Sequence, residues 1–307
     1  MQVISHASPH DQILFAGDWN EDHKETPTEC IDATREIMDA FIAKKLKAVF
    51  ITGNHDQKSR DGMVHSLGLF HRPADNLFVI DRPCVDDNWA YLPFRRIPDI
   101  PAALEELEAA HQAWHGNGKG RSKIPLLCHV DLVGGTSNSG HLSAKGLNLN
   151  DLPAWVSVAI SGHYHRHQVI KNFMFVGSPY QQTAGEKGET KVFLTTKSTS
   201  PQNIEDFVIT EFTGIPQYRE IGLPDWEAMP PEKREELVKD FVSVVVPHGD
   251  PKPKEGGIRI KSLPRPAQHG IGDRPVTKAA EGLQRWLENC GRGDLLDLGL
   301  EFLNRAN

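Results

Sequence analysis

The sequence predicts an α/β domain over residues 1–200 and a smaller α+β region over 201–307. Three observations lead there. Short apolar runs closed by a glycine or a polar residue alternate with stretches of helical spacing, the pattern of an α/β layer fold. The first such group, 12–56, reads strand–helix–strand, which implies two parallel strands joined by a right-handed crossover. Composition then shifts at 197–206 (KSTSPQNIED), where polar residues and proline replace the apolar runs.

The elements follow in order. "QILFAGD" (12–18) is a strand ending in Gly-Asp. "TECIDATREIMDAFIAKKL" (28–46) places Ile31, Ile37, Phe41, Ile42 and Leu46 largely on one helical face. "AVFITGNHD" (48–56) is a strand running into a polar loop. "LFVID" (77–81) and "WAYLPF" (89–94) are strands, and "IPAALEELEAAHQAW" (100–114) is a helix. "IPLLCHV" (124–130), "WVSVAISGH" (155–163), "FMFVGSP" (173–179) and "KVFLTT" (191–196) supply four more strands. Beyond 200, "PPEKREELVKDF" reads as a helix, and "VSVVVP" and "GIRIKSL" as strands flanking the loop "PHGDPKPKEGG". Two amphipathic helices close the chain. The first carries Ala279, Leu283, Trp286, Leu287 and Cys290 on one stripe, with Gly291 suited to its C-cap.

Bulk properties narrow the class. Hydrophobic content of 38% with 24% charged residues is that of a water-soluble globular chain. No apolar run is long enough to span a bilayer, and the N-terminus lacks the basic start and apolar core of a signal peptide. The four cysteines stand far apart with no CxxC pair, which argues for a reducing cytoplasmic setting and against a disulfide framework or zinc ribbon. A net charge of −7 excludes a general attraction for polyanions, so any nucleic-acid contact needs a local basic patch.

The stretch "SGHYHRHQ" (161–168) raises the functional question, with His163, His165 and His167 within five positions. Clustered loop histidines are often merely solvated. What precedes them changes the reading. Asp18 ends the first strand, Asn54 and His55 follow the second, His129 follows "PLLC", and His163 and His165 follow "VSVAISG". Alone, each is readable as a turn residue or a satisfied core histidine. In an α/β sheet, however, ligands gather at the carboxyl ends of the strands, so these side chains converge on one rim. Carboxylate, amide oxygen and imidazole without thiolate suit Mn²⁺, Fe²⁺ or Zn²⁺.

In order, GD (17–18), GNHD (53–56), the lone His129 and GHYH (162–165) resemble the signature of calcineurin-like metallophosphoesterases. "CHVDLVGGTSNSGHLSAKGL" (128–147) and "FVGSPYQQTAGEKGETKVF" (175–193) further resemble the DNA-repair nuclease branch, which holds the SbcD subunit of bacterial SbcCD and phage recombination endonuclease subunits. The similarity covers roughly 11–197. It implies a core of two packed mixed β-sheets flanked by helices (αββα) and two divalent ions, Mn²⁺ first, with Fe²⁺ or Zn²⁺ compatible. By position, Asp18 bridges the ions, Asn54, His129 and His163 hold the second, and His165 holds the first. His55 stands beside the scissile phosphate as the catalytic acid or charge stabiliser, with activated water as nucleophile. His167 has no family role and reads as a surface residue.

One part of the family pattern is missing. The family opens on a strand ending Asp-x-His, which completes the first metal, and no Asp-x-His occurs in the 307 residues. "MQVISHASPHDQ" reads as the tail of the helix after that strand plus a loop. Either the natural start lies upstream of Met1 or the protein lacks the strand. Substitution by His6, His10 or Asp11 is the alternative, although all three precede the Asp18 strand. The first site then keeps only Asp18 and His165.

The substrate and partners are implied by the resemblance. It points to DNA phosphodiester hydrolysis, exo- or endonucleolytic, by the nuclease subunit of an SbcCD-like complex. Its partners would be DNA, an SbcC-type coiled-coil ATPase docking on the Leu283, Trp286, Leu287 stripe, and a second copy in a homodimer. Arg95 and Arg96 in "FRRIP", and Lys119 and Arg121 in "GNGKGRSK", are the candidate backbone contacts. A small-molecule metallophosphatase or phosphodiesterase and a catalytically impaired scaffold are the competing expectations.

Overall fold

The computed structural model describes residues 2–20, 26–115, 123–237, 240–246 and 259–262. In chain order the elements are α1 (Gln2–His6), β1 (Gln12–Phe15), α2 (Thr28–Ala43), β2 (Lys47–Ile51), β3 (Leu77–Ile80), β4 (Cys84–Val85), β5 (Ala90–Leu92) and α3 (Ile100–His115). Then come β6 (Ile124–Cys128), β7 (Val156–Ser161), β8 (Gln168–Ile170), β9 (Phe173–Phe175), β10 (Val192–Thr195) and β11 (Val208–Glu211). The last are β12 (Tyr218–Gly222), α4 (Leu223–Ala228), α5 (Pro231–Glu236), β13 (Phe241–Val246) and β14 (Arg259–Ser262). The expected mixed α/β class holds: several sheets, few helices and, among the described residues, no barrel. The two helices expected at 277–305 lie outside the described residues, as do Lys119 and Arg121.

By compactness the chain divides into two units, residues 1–220 with 229–243, and residues 221–228 with 244–307. In the second, α4 buries Leu223 and Trp226. All the candidate site residues described lie in the first.

Two sheets organise the first unit. In β1-β2-β3 both pairings are parallel, so 12–51 forms the expected strand–helix–strand unit. The six-stranded sheet runs β4-β5-β6-β7-β9-β8, parallel in its centre and antiparallel at both edges. Side chains on a strand alternate between faces, and the apolar residues sort accordingly. In β2, Ala48 and Phe50 join Met38 and Phe41 of α2 in one core cluster. Val49 and Ile51, on the opposite face, join Tyr91 of β5, Leu127 of β6, Ile160 of β7 and Met174 of β9 in a second, shared by both sheets. The far face of the six-stranded sheet, with Ala90, Leu92, Leu126, Cys128, Phe173 and Phe175, packs on Ile100, Ala103 and Leu107 of α3. Those three sit at i, i+3 and i+7, one stripe of a helix.

The strands stop earlier than their apolar runs suggest. β1 ends at Phe15 because Gly17 (φ 92) and Asp18 (φ 57) both take left-handed backbone, which breaks the ladder. α2 ends at Ala43, just before Lys45 at φ 55. The short edge strands β4 and β8 have too few residues to show a periodicity.

Candidate metal centre

The carboxyl ends of four strands, two from each sheet, bring the site together. Past β1 stands Asp18, past β2 Asn54, past β6 His129 and past β7 His163. His129 is fully buried and central. Its Nδ1 lies 2.7 Å from the Ala16 carbonyl oxygen, which only accepts, so that nitrogen carries the hydrogen. Its Nε2 then faces Asp18 Oδ2 at 3.1 Å, Asn54 Oδ1 at 3.1 Å and His163 Nδ1 at 3.0 Å. Asp18, His129 and His163 form the group of metal-capable side chains found among the described residues.

This donor set fits a divalent cation. Donors sharing an ion at ~2.1 Å sit ~3.0–3.4 Å apart, which the separations around His129 Nε2 match. With Nδ1 already donating, Nε2 of a neutral ring meets a carboxylate oxygen and an amide oxygen, lone pair against lone pair. A proton on Nε2 could bridge one of these partners; a cation satisfies them all.

Electrostatics follow from that crowding. Burial works to raise the Asp18 carboxyl, but the His129 imidazole and the His55 N–H outweigh it and hold it at about 2. Burial likewise works against protonating His129, yet Asp18 and the Ala16 carbonyl raise its proton affinity above the ordinary value. Each shift expresses the same demand for positive charge between them.

The backbone that presents these groups is itself clamped. Fully buried Asp56 accepts the N–H groups of Asp18 at 2.9 Å, Gly53 at 2.9 Å and Asn20 at 3.1 Å, tying the two strand-end loops together. Burial raises the Asp56 carboxyl, and the N–H donors from Gly53 and Asn20 only partly offset it. Asp18 Oδ1 accepts the His55 N–H at 2.9 Å, so the bent loop of one strand holds the next. Side chains are excluded at the contact: a Cβ on Gly17 would stand 2.3 Å from His129 Nδ1, and one on Gly53 would stand 2.1 Å from Asp18 Oδ1. Left-handed backbone at Asp18 costs about 1–3 kcal/mol, a strain typical of functional loops.

His163 is held from behind by Asp131, whose Oδ1 lies 3.2 Å from His163 Nε2 and accepts the Tyr164 hydroxyl at 3.1 Å. Burial raises the Asp131 carboxyl, but His163 and Tyr164 lower it further than that. The Phe94 ring lies near-parallel to His163 at 6.0 Å and edge-on to His129 at 6.2 Å, an apolar wall on one side.

His165 does not join this group. Its Nδ1 lies 3.0 Å from Oε1 of buried Glu186, whose other oxygen pairs with buried Lys191 at 2.6 Å. The N-terminal alternatives are no nearer. His6 bonds Gln2 and stacks edge-on with Phe193, Asp11 accepts the Ser8 N–H, and His10 and Asp11 precede β1, at the end of the strand away from Asp18. Arg95 donates to the Phe94 and Asp81 carbonyls at 2.8 and 2.9 Å. It lines an open cleft of about 530 Å³ together with Arg60, Arg82, Asp61, Asp99 and Glu106. Arg96 is exposed. Asp56, Phe94, Asp131, Glu186 and Lys191 were not singled out as functional from the sequence, although each lies within or beside a segment that was.

No protein-family model matches the chain, and no curated protein matches it. Among the described residues no helix is long and apolar enough to cross a membrane.

Proposed function

We propose that this chain is a divalent-metal-dependent phosphodiesterase acting on DNA, the nuclease subunit of an SbcCD-like complex, on a metallophosphoesterase core. The observation that carries the reading is the meeting of Asp18, Asn54, His129 and His163 donors around one point at the ends of four strands. The three apolar layers support the αββα arrangement: α2 on one sheet, sheet against sheet, and α3 on the other. The DNA substrate and the ATPase partner rest on the resemblance of 128–147 and 175–193 to the nuclease branch.

In this reading Asp18, Asn54, His129 and His163 hold one ion. A divalent ion there supplies Lewis acidity, neutralising charge on a phosphate and making water a better nucleophile at neutral pH. The protein's part is positioning. Asp56 fixes the two loops, the Ala16 carbonyl sets the His129 ring, and Phe94 keeps water from one side of the imidazole pair. His55, on the loop that Asp18 anchors, holds or delivers a proton at the leaving oxygen.

One observation favours a second reading. No Asp-x-His occurs in the chain, so the first site keeps only Asp18 and His165. A protein holding one ion would then serve as a weakly active enzyme or a scaffold. Elemental analysis with parallel assays on linear DNA, bis-(p-nitrophenyl) phosphate and a phosphate monoester separates the cases. Mn²⁺-dependent degradation of DNA is expected. Turnover confined to small esters would move the protein to the small-molecule branch, and one tightly held ion without turnover would make it a scaffold.

A further inference from the structure

His163 and His165 lie two residues apart, and each ring is held by a carboxylate, but on opposite nitrogens. Asp131 Oδ1 meets Nε2 of His163 at 3.2 Å, whereas Glu186 Oε1 meets Nδ1 of His165 at 3.0 Å. An ionised carboxylate only accepts, so in a neutral ring whose other nitrogen meets no carbonyl or carboxylate, unlike His129 with its Ala16 contact, the nitrogen facing the carboxylate carries the hydrogen. Both carboxylates are built to stay ionised and fixed. Glu186 accepts Lys191 Nζ at 2.6 Å and the Thr183 hydroxyl at 3.1 Å, and Asp131 accepts the Tyr164 hydroxyl at 3.1 Å. We infer that Asp131 and Glu186 are positioning residues that lock His163 and His165 in opposite tautomers, leaving Nδ1 of His163 and Nε2 of His165 as the free lone pairs.

The two cases differ in what they overcome. A neutral imidazole in water prefers its hydrogen on Nε2. Asp131 reinforces that preference, and the freed Nδ1 of His163 is the atom 3.0 Å from His129 Nε2, inside the donor cluster. Glu186 opposes it. The buried Glu186–Lys191 pair therefore does more than fill space: it holds His165 in the less favoured form, with Nε2 as donor. A carboxylate behind a ligating imidazole fixes its orientation and strengthens it as a donor, and losing such a partner costs ~10–100-fold in metal affinity. This consequence for metal binding rests on the proposed metal reading; the tautomers themselves do not.

The test is long-range nitrogen NMR on the metal-free full chain with labelled histidine, the two rings assigned by His163→Asn and His165→Asn. His163 is expected with hydrogen on Nε2 and His165 with hydrogen on Nδ1. Glu186→Gln should keep the His165 form, because an amide oxygen still accepts, and Glu186→Ala should release it towards Nε2–H. Hydrogen on Nε2 of His165 in the wild type would overturn the inference, as would an Nδ1–H that survives Glu186→Ala. Should Glu186→Ala fail to fold, the wild-type spectrum still decides. Calorimetric titration with Zn²⁺ or Mn²⁺ then reads the positioning role. Asp131→Ala should bind ~10–100-fold more weakly and Asp131→Asn nearly normally. Equal affinity in wild type and Asp131→Ala would refute that role. A wild type that binds neither ion would overturn the metal reading, while the spectrum still decides the tautomers.

Discussion

The cluster around His129 and the network around Glu186 are both buried and polar, and they draw on histidines only two residues apart. They are assembled in opposite senses. In the network every acceptor meets a donor: Glu186 takes Lys191 and Thr183, and Lys191 also reaches Glu189 at 3.2 Å and the His165 carbonyl at 2.9 Å. In the cluster the Asp18 and Asn54 oxygens crowd about His129 Nε2, where one proton can serve only one of them. The first arrangement stabilises itself. The second is held together by its backbone clamp and calls for a cation. Buried polarity alone therefore does not mark a functional site; the balance of donors and acceptors does.

Substitutions can break that contrast. The largest effect is expected from Asp18→Ala, which removes the cluster's anionic donor. Metal affinity and metal-dependent turnover should fall by more than the ~100-fold that losing an outer partner costs, and thermal unfolding should shift modestly downward, because alanine tolerates the left-handed backbone at residue 18 less well than aspartate and the His55 N–H loses its acceptor. Calorimetry beside a nuclease assay checks it. His55→Ala should keep the ion and lower turnover by ~10²–10⁴-fold, the range for a lost general acid. Equal loss of metal and turnover would mean that His55 is a ligand.

The network should answer in stability. Lys191→Met strands the Glu186 charge in the interior and should cost about 3–5 kcal/mol in urea unfolding, with much of it restored when Glu186→Gln is added. Burial works to raise the Glu186 carboxyl, but Lys191 and His165 bring it from the ordinary 4.5 to about 2. A folded-state value below the unfolded one stabilises above pH 4.5 and is lost as pH falls through 2. The Glu186→Gln variant should lack that acid limb. The smallest effect belongs to exposed Arg96. If its guanidinium meets a DNA phosphate, Arg96→Ala should lower the salt-dependence slope of DNA binding by about 1.

How far the sequence led depends on what each feature leaves in the chain. The parallel strand–helix–strand over 12–51 was legible because its apolar residues recur at the right period. The convergence of Asp18, Asn54, His129 and His163 was legible because each ends an apolar run. Their clamp was not. Asp56 acts through three backbone N–H groups, a role that any buried acceptor could fill and that no spacing advertises. Glu186 and Lys191 stand in "GEKGETK", which reads as an ordinary solvated charge run until the fold buries it. Arg95, expected to contact DNA, also donates to the Phe94 and Asp81 carbonyls, backbone contacts that "FRRIP" does not advertise.

The central claim is that the four strand ends hold a cation, and titration of the metal-free chain with Mn²⁺ or Zn²⁺ tests it most directly. One ion per chain should bind to the wild type with high affinity, be lost in His129→Ala, and persist in His165→Ala. Binding that survives His129→Ala, or a wild type that retains no ion, would contradict the account.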